Sequence, residues 1–210
     1  GKSTAIDFRE TAPILSTGNM FQDENGEVIQ GMSTSSSLSV GVPGTVAGMG
    51  YAYEKYATLP WKDLVYPSFL LAKYGFELDL HNHYLFNNPS LINKLNQDKV
   101  SRKVFVENKS YNLKDNIIQA ELAETLLRIA NYGYKEFYFG QTADNIISCM
   151  NRKNGIISYD DLASYRVNEL NPIEFKYRDY NVISMHCPSI ISIRCLFWFW
   201  QVIRMEASMC

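Results

Sequence analysis

The stretch that most limits what this chain can fold into is "DNIIQAELAETLLRIANYG", Asp115 to Gly133. Ile117, Ala120, Leu122, Leu126 and Ile129 recur at the spacing of a helix, not of a strand. Asp115 or Asn116 stands where a cap is expected, and Gly133 where the helix should stop. A one-sided helix of this length must lay its apolar stripe on other elements. The chain is therefore expected to be a layered structure in which helices cover one another or a sheet.

The flanking segments supply those elements. Pro60 precedes a second amphipathic pattern, Trp61 to Tyr74, with Leu64, Phe69, Leu70 and Leu71 expected on its buried side and Gly75 as its stop. Pro43-Gly44 predicts a turn, Thr45 a cap, and Val46 to Tyr56 a helix whose small residues permit close packing. Glycines 41, 44 and 48 superficially suggest a phosphate loop, but no Lys follows and the spacing is not GxGxxG. Shorter helices are expected near Ser90 to Leu95 and from Gln141 to Arg152, the latter stopped at Asn154-Gly155. Ser158 and Asp161 form a capping-box pattern. The adjacent Asp160 and Asp161 fit capping and dipole stabilisation better than paired acid–base work.

Strand signals sit at the two ends. Thr4 to Phe8 is predicted as a short buried strand. Ile173, Phe175 and Tyr177 alternate, Arg178-Asp179 turns, and Val182 to Met185 returns, which predicts a hairpin. Between them, Asn25-Gly26 marks a turn and Ser33 to Ser37 is expected to be loop. The fold class expected from the residues is α/β (α+β), with a sheet only partly built.

Composition narrows the function classes. The 210 residues carry a formal charge of −2 and no long basic block, which disfavours nucleic acid and anionic membrane as partners. Four cysteines at 149, 187, 195 and 210 form no CxxC pair, so neither a disulfide framework nor a structural zinc site is expected. Asp79-Leu80-His81-Asn82-His83 is the nearest approach to a metal motif, and solvated loop histidines are the favoured reading. The apolar patch Ile190 to Ile203 is short and interrupted by Arg194, so no membrane span is expected. No signal peptide is visible from Gly1 onward, and an opening straight into a strand suggests that a segment lies upstream, where any signal would stand.

Several segments in order carry a resemblance: "AIDFRETAP" at 5–13, "GVPGTVAGM" at 41–49, "YEKYATLPW" at 53–61, "EFYFGQTADNII" at 136–147, "GIISYDDLASYRV" at 155–167 and "YRDYNVISM" at 177–185. Together they resemble the γ-glutamyltranspeptidases, called glutathione hydrolases when water is the acceptor. The resemblance implies an N-terminal-nucleophile hydrolase. Its precursor folds into an αββα sandwich and cleaves itself into a large and a small subunit. The new N-terminal threonine of the small subunit attacks the γ-carbonyl of glutathione or another γ-glutamyl compound, and the acyl group passes to water, an amino acid or a dipeptide. It implies no cofactor and no metal, and a periplasmic or extracellular location.

On this resemblance Arg9 is the substrate-binding residue, its guanidinium gripping the α-carboxylate of the glutamyl group. The residues alone favour the plainer reading, in which Arg9 simply pairs with Glu10 or Asp7. Glu10 is expected to aim Arg9 from behind. Neighbours on a strand point to opposite faces, which argues against a direct pair.

The resemblance runs to about residue 185. The family continues with Pro-Pro-Pro-Ser-Ser-Gly-Gly, whereas this chain has Met185-His186-Cys187-Pro188-Ser189 and then an aromatic-rich run. The expectation is a large-subunit fragment over residues 1–189 and an aberrant, frameshifted tail over 190–210. No threonine here (4, 11, 17, 34, 45, 58, 125 or 142) stands in the family's nucleophile context, and the glycine-rich segment expected before the DFRE motif is absent. The chain is thus expected to supply the substrate clamp without the nucleophile, to show no turnover alone, and to leave exposed the faces that meet the small subunit of the same precursor. Two other readings stay open: a non-catalytic remnant that binds a partner through those faces, and an acylase of the same superfamily acting on another glutaryl-like group.

Overall fold

The computed structural model describes residues 2–107 and 110–185. Its elements run β1 (Ala5–Asp7), α1 (Met32–Ser35), α2 (Thr45–Tyr56), α3 (Trp61–Tyr74), β2 (Phe76–Glu77), α4 (Leu80–Phe86), α5 (Pro89–Asn96) and α6 (Lys99–Phe105). After these come β3 (Asn116–Ile117), α7 (Ala120–Tyr132), α8 (Glu136–Phe139), α9 (Gln141–Lys153), α10 (Tyr159–Ser164), β4 (Asn168–Leu170), β5 (Ile173–Tyr177) and β6 (Tyr180–Ser184). The mixed helix-and-strand class matches the sequence reading. Among the described residues the strands pair only two by two. β1 lies antiparallel to β4, with Ala5 opposite Leu170 and Asp7 opposite Asn168. The hairpin β5–β6 closes on Arg178-Asp179, where Arg178 takes a positive φ of 51°, and its return strand starts at Tyr180, two residues earlier than expected. The aberrant tail expected from residue 190 lies outside the described residues.

Helix stops follow their signals closely. Gly75 and Gly133 adopt φ of 86° and 83°, and α9 ends on Asn154 in the left-handed region, which Asn tolerates better than most residues. The capping box at the start of α10 is complete: the Ser158 hydroxyl accepts from the Asp161 N–H, and the Asp161 carboxylate accepts from the Ser158 N–H at 2.8 Å.

Helix starts and faces differ from expectation. α7 begins at Ala120, not near Asp115, because Asn116 and Ile117 pair with Glu77 and Phe76 as β3 and β2. The Asn116 side chain instead donates to the Tyr74 carbonyl at the end of α3, at 2.8 Å. The buried residues of α7 are Ala123, Ile129 and Ala130, with Leu126 and Leu127 packed beside them, so Ile129 and Leu126 lie inward as their spacing predicts, while Leu122 is 44% exposed. On α3, only Phe69 and Ala72 are buried, and they meet Ala123. Leu64 and Leu71 are seven residues apart and so share the other side of that helix, where Leu71 is 54% exposed. Leu70 is exposed as well. Four apolar residues at these spacings cannot occupy one stripe, and the short Ala72–Ala123 approach decides which pair wins.

Three smaller expectations are also corrected. Thr45 is the first residue of α2 and makes no side-chain cap; Gly44 is the N-cap. Ser33 to Ser35 belong to the short helix α1, and Ser37 to Ser39 form one turn of 3-10 helix. His81 and His83 lie on helix α4, where an i, i+2 pair points in different directions. Asp79 caps that helix through the Asn82 N–H at 2.8 Å.

The main core gathers Val42, Tyr138, Ala143, Ile147, Met150, Ile157, Leu162 and Tyr165. It joins the loop before α2 to α8, α9 and α10. Beside it, the buried Glu136 carboxylate accepts from the Thr142 N–H and hydroxyl at 3.0 and 2.7 Å, and pairs with Arg128 at 3.3 Å. Buried charge is tolerable when it is answered on each side in this way.

Candidate functional site

The site is built where β1 runs out. The Asp7 carboxylate accepts from the Arg9 N–H at 3.1 Å and turns the chain off the strand. Thr11 then forms an isolated antiparallel bridge with Val42: its N–H donates to the Val42 carbonyl at 3.3 Å and its carbonyl accepts from the Val42 N–H at 2.8 Å. The three residues between, Phe8, Arg9 and Glu10, lie across the loop before α2 and its first turns.

That approach is close enough to dictate glycine. A Cβ on Gly44 would stand 2.0 Å from the Tyr165 hydroxyl and 2.1 Å from the Phe8 carbonyl oxygen. A Cβ on Gly48 would stand 2.3 Å from the Phe8 ring. These glycines answer no phosphate; they let the Phe8–Arg9 backbone lie against α2. Tyr165 donates its hydroxyl to the Arg9 carbonyl at 2.8 Å. Its ring stacks on Tyr138, whose hydroxyl donates to the Pro43 carbonyl at 2.8 Å and accepts from the Ala47 N–H at 3.1 Å. Burial pushes the Tyr138 phenol up to about 12, so it stays a donor across the neutral range.

Arg9 and Glu10 open onto a cavity of about 420 Å³ lined also by Asp7, Thr11, Tyr165, Arg166 and Asn168. Arg9 Nη2 donates to Glu10 Oε1 at 3.3 Å, with the two side chains 47% and 60% exposed. The expectation against a direct pair fails because β1 has already ended at Asp7, so strand alternation no longer governs residues 9 and 10. Glu10's own backbone N–H, and then the Arg9 guanidinium, hold its carboxyl below the usual carboxylate range. Arg166 Nη1 donates to the Ala163 and Tyr165 carbonyls, both at 2.8 Å. Asp161 also reaches this region, accepting from the Ile14 N–H at 2.6 Å. Burial would raise its pKa, but the Ser158 hydroxyl and the Ile14 and Ser158 N–H groups outweigh that and hold it low. No group of three or more metal-binding side chains occurs among the described residues.

Four of the six motif segments converge here: 5–13 and 41–49 in direct contact, 136–147 and 155–167 through Tyr138 and Tyr165. A family model described as γ-glutamyltranspeptidase matches residues 1–203. The chain belongs to the γ-glutamyltranspeptidase family. Curated relatives in this family include the glutathione hydrolase proenzymes of Pseudomonas sp. strain A14, 40% identical over 192 residues, and of Escherichia coli K12, 39% identical over 192 residues. Each match covers 90% of this chain, which spans about a third (33%) of either relative. Among solved structures, the γ-glutamyltranspeptidase of Helicobacter pylori is 38% identical with a TM-score of 0.84, covering 90% of this chain and 54% of that one. A cephalosporin acylase from Bacillus halodurans shares the fold at 21% identity and a TM-score of 0.71. The fold is therefore that of the γ-glutamyltranspeptidase N-terminal-nucleophile hydrolases, present here as a part.

Sequence reasoning placed Arg9 at this site and missed Tyr165, which sits inside the "SYRV" segment already quoted for the resemblance. It also missed Glu169. That carboxylate on β4 accepts from Thr4 Oγ1 at 3.0 Å, Tyr51 Oη at 2.6 Å and Tyr56 Oη at 2.9 Å, and it pairs with Lys55. The Lys55 ammonium foremost, and then the hydroxyl donors, lower its pKa to about 2.

Proposed function

We propose that this chain is the substrate-gripping part of the large subunit of a γ-glutamyltransferase, with Arg9 as the clamp for the α-carboxylate of a γ-glutamyl compound such as glutathione. The observation that carries the reading is the Arg9 guanidinium at a polar cavity of about 420 Å³, on a backbone tied down on either side. A guanidinium has five donors in a fixed fork, so it can keep its bond to Glu10 and still grip a carboxylate. Arg9 and Arg166 share the lining of the cavity with Asp7 and Glu10, a charge balance suited to a ligand bearing both signs, as the α-amino-acid end of a γ-glutamyl group does.

Fixing that end places the γ-carbonyl for attack. Catalysis would pass the γ-glutamyl group through a threonyl ester to water or an amine acceptor, with the nucleophile supplied by the small subunit of the same precursor. An apolar groove of about 640 Å³ between α2, α3 and α7, edged by Met49, Tyr56, Trp61 and Leu64, supports a surface that further polypeptide covers. No described helix is long and apolar enough to cross a membrane. A periplasmic or extracellular location is part of this proposal.

Calorimetric titration of the purified chain with glutathione tests the clamp. Binding is expected for the wild-type chain and is expected to be lost in Arg9→Ala, while γ-glutamyl-p-nitroanilide should release no p-nitroaniline. Turnover by the purified chain that Arg9→Ala abolishes would place the nucleophile within these 210 residues and overturn the division of labour.

A further inference from the structure

We propose that Tyr165 is the positioning residue for Arg9, setting the direction from which the guanidinium meets its ligand; the inference rests on the clamp reading above. Two observations fix the Arg9 main chain. Its N–H is held by Asp7 Oδ1 at 3.1 Å, and its carbonyl by the Tyr165 hydroxyl at 2.8 Å. With both peptide groups around its Cα anchored, the Cα–Cβ direction of Arg9 is set before any ligand arrives. Such preorganisation lowers the ordering cost of binding.

The tie is built, not incidental. Tyr165 is 8% exposed and belongs to the main core, stacked on Tyr138 with ring centroids 6.0 Å apart and planes 13° from parallel. Its hydroxyl reaches Arg9 only because Gly44 has no side chain, since a Cβ there would occupy the same space. Burial first, and then the negative charges of Asp7 and Glu10, raise the Tyr165 pKa, so the hydroxyl remains a donor throughout the neutral range. The same ring lines the Arg9 cavity, so the side chain that aims the clamp also forms its wall.

The test compares L-glutamate with isoglutamine, its α-carboxamide, as ligands of the purified full chain. A clamp on the α-carboxylate makes the wild-type chain favour glutamate, by about tenfold for a charge-assisted bond. Tyr165→Phe keeps the stacked ring and removes only the hydroxyl. It is expected to bring the ratio close to one while the melting temperature moves by only a few degrees. Tyr138→Phe, which loses its Pro43 and Ala47 partners but touches nothing of Arg9, should keep the ratio. If Tyr165→Phe preserves the ratio, or weakens both ligands equally along with the melting temperature, Tyr165 is a packing residue and the proposal is overturned. If the wild-type chain does not distinguish the two ligands, the Arg9 clamp itself fails and the positioning role goes with it.

Discussion

Two regions of this molecule are held in opposite ways. The Arg9 cradle is held from inside: Val42, Leu162 and the stacked Tyr138–Tyr165 pair are buried, and two glycines let the backbone segments touch. The run of α4, α5 and α6 has one buried anchor outside its helices, Tyr111, which stacks on Phe86 and donates to the Phe105 carbonyl, and is otherwise held from its ends. None of those helices has a buried residue, yet each starts on a side-chain cap, Asp79 to the Asn82 N–H, Asn88 to the Ser90 N–H, and Asp98 to the Ser101 N–H. Caps satisfy local donors and shape a surface segment. They do not fix a side chain to a fraction of an ångström, which a substrate clamp requires.

That contrast is breakable. The largest effect is expected from Gly48→Ala, which drives a methyl into the root of the Phe8 ring. Overpacking of this kind should cost about 3 kcal/mol or more and lower the melting temperature by roughly 6–12 °C in a chain of this size. An unchanged melting curve would mean that the cradle is looser than its distances indicate. An intermediate effect is expected at Asp161, which holds both the α10 cap and the Ile14 N–H; Asp161→Ala should cost about 2 kcal/mol. Its folded pKa is depressed, so the carboxylate's contribution is fully present above the ordinary Asp value of about 3.9. That contribution is lost as pH falls through the lower folded value. Acid titration of stability should therefore be shallower for Asp161→Ala than for the wild type below pH ~4. The smallest effect is expected from Asn88→Ala in the capped run, about 1 kcal/mol. It should raise amide exchange in α5 and leave that of α9 and α10 unchanged. Coupled loss of protection in both regions would dissolve the distinction.

The same contrast explains what could be read in advance. Helix stops at Gly75, Gly133 and Asn154, the capping box at Ser158 and Asp161, and the hairpin turn all depend on the conformations of one or two residues. Each was legible. Asn116 was misread because its amide serves either a helix start or a neighbouring helix's end, and only the pairing of Ile117 with Phe76 decides. The buried face of α3 was misjudged because two stripes were available on that helix and the choice lies in its packing on α7, whose Leu126 and Ile129 do lie inward. At the site, Arg9 was legible through the motif. Tyr165 was not, because a tyrosine hydroxyl that bonds a main-chain carbonyl 156 positions away leaves no local pattern. The Arg9–Glu10 pair was lost by extending strand alternation three residues past the true end of β1.

The pairing of β1 with β4 has a consequence in time. Thr4 and Glu169, bonded to each other across these strands, are 165 residues apart in the chain. At ribosomal speeds of about 5–20 residues per second, β1 emerges roughly ten to thirty seconds before its partner exists. During that interval α2 can meet Phe8, but its Tyr51, Lys55 and Tyr56 lack the Glu169 carboxylate on which they converge. The clamp can therefore form only after nearly the whole described chain has left the ribosome, and nascent chains stalled before residue 170 should be the ones that chaperones hold.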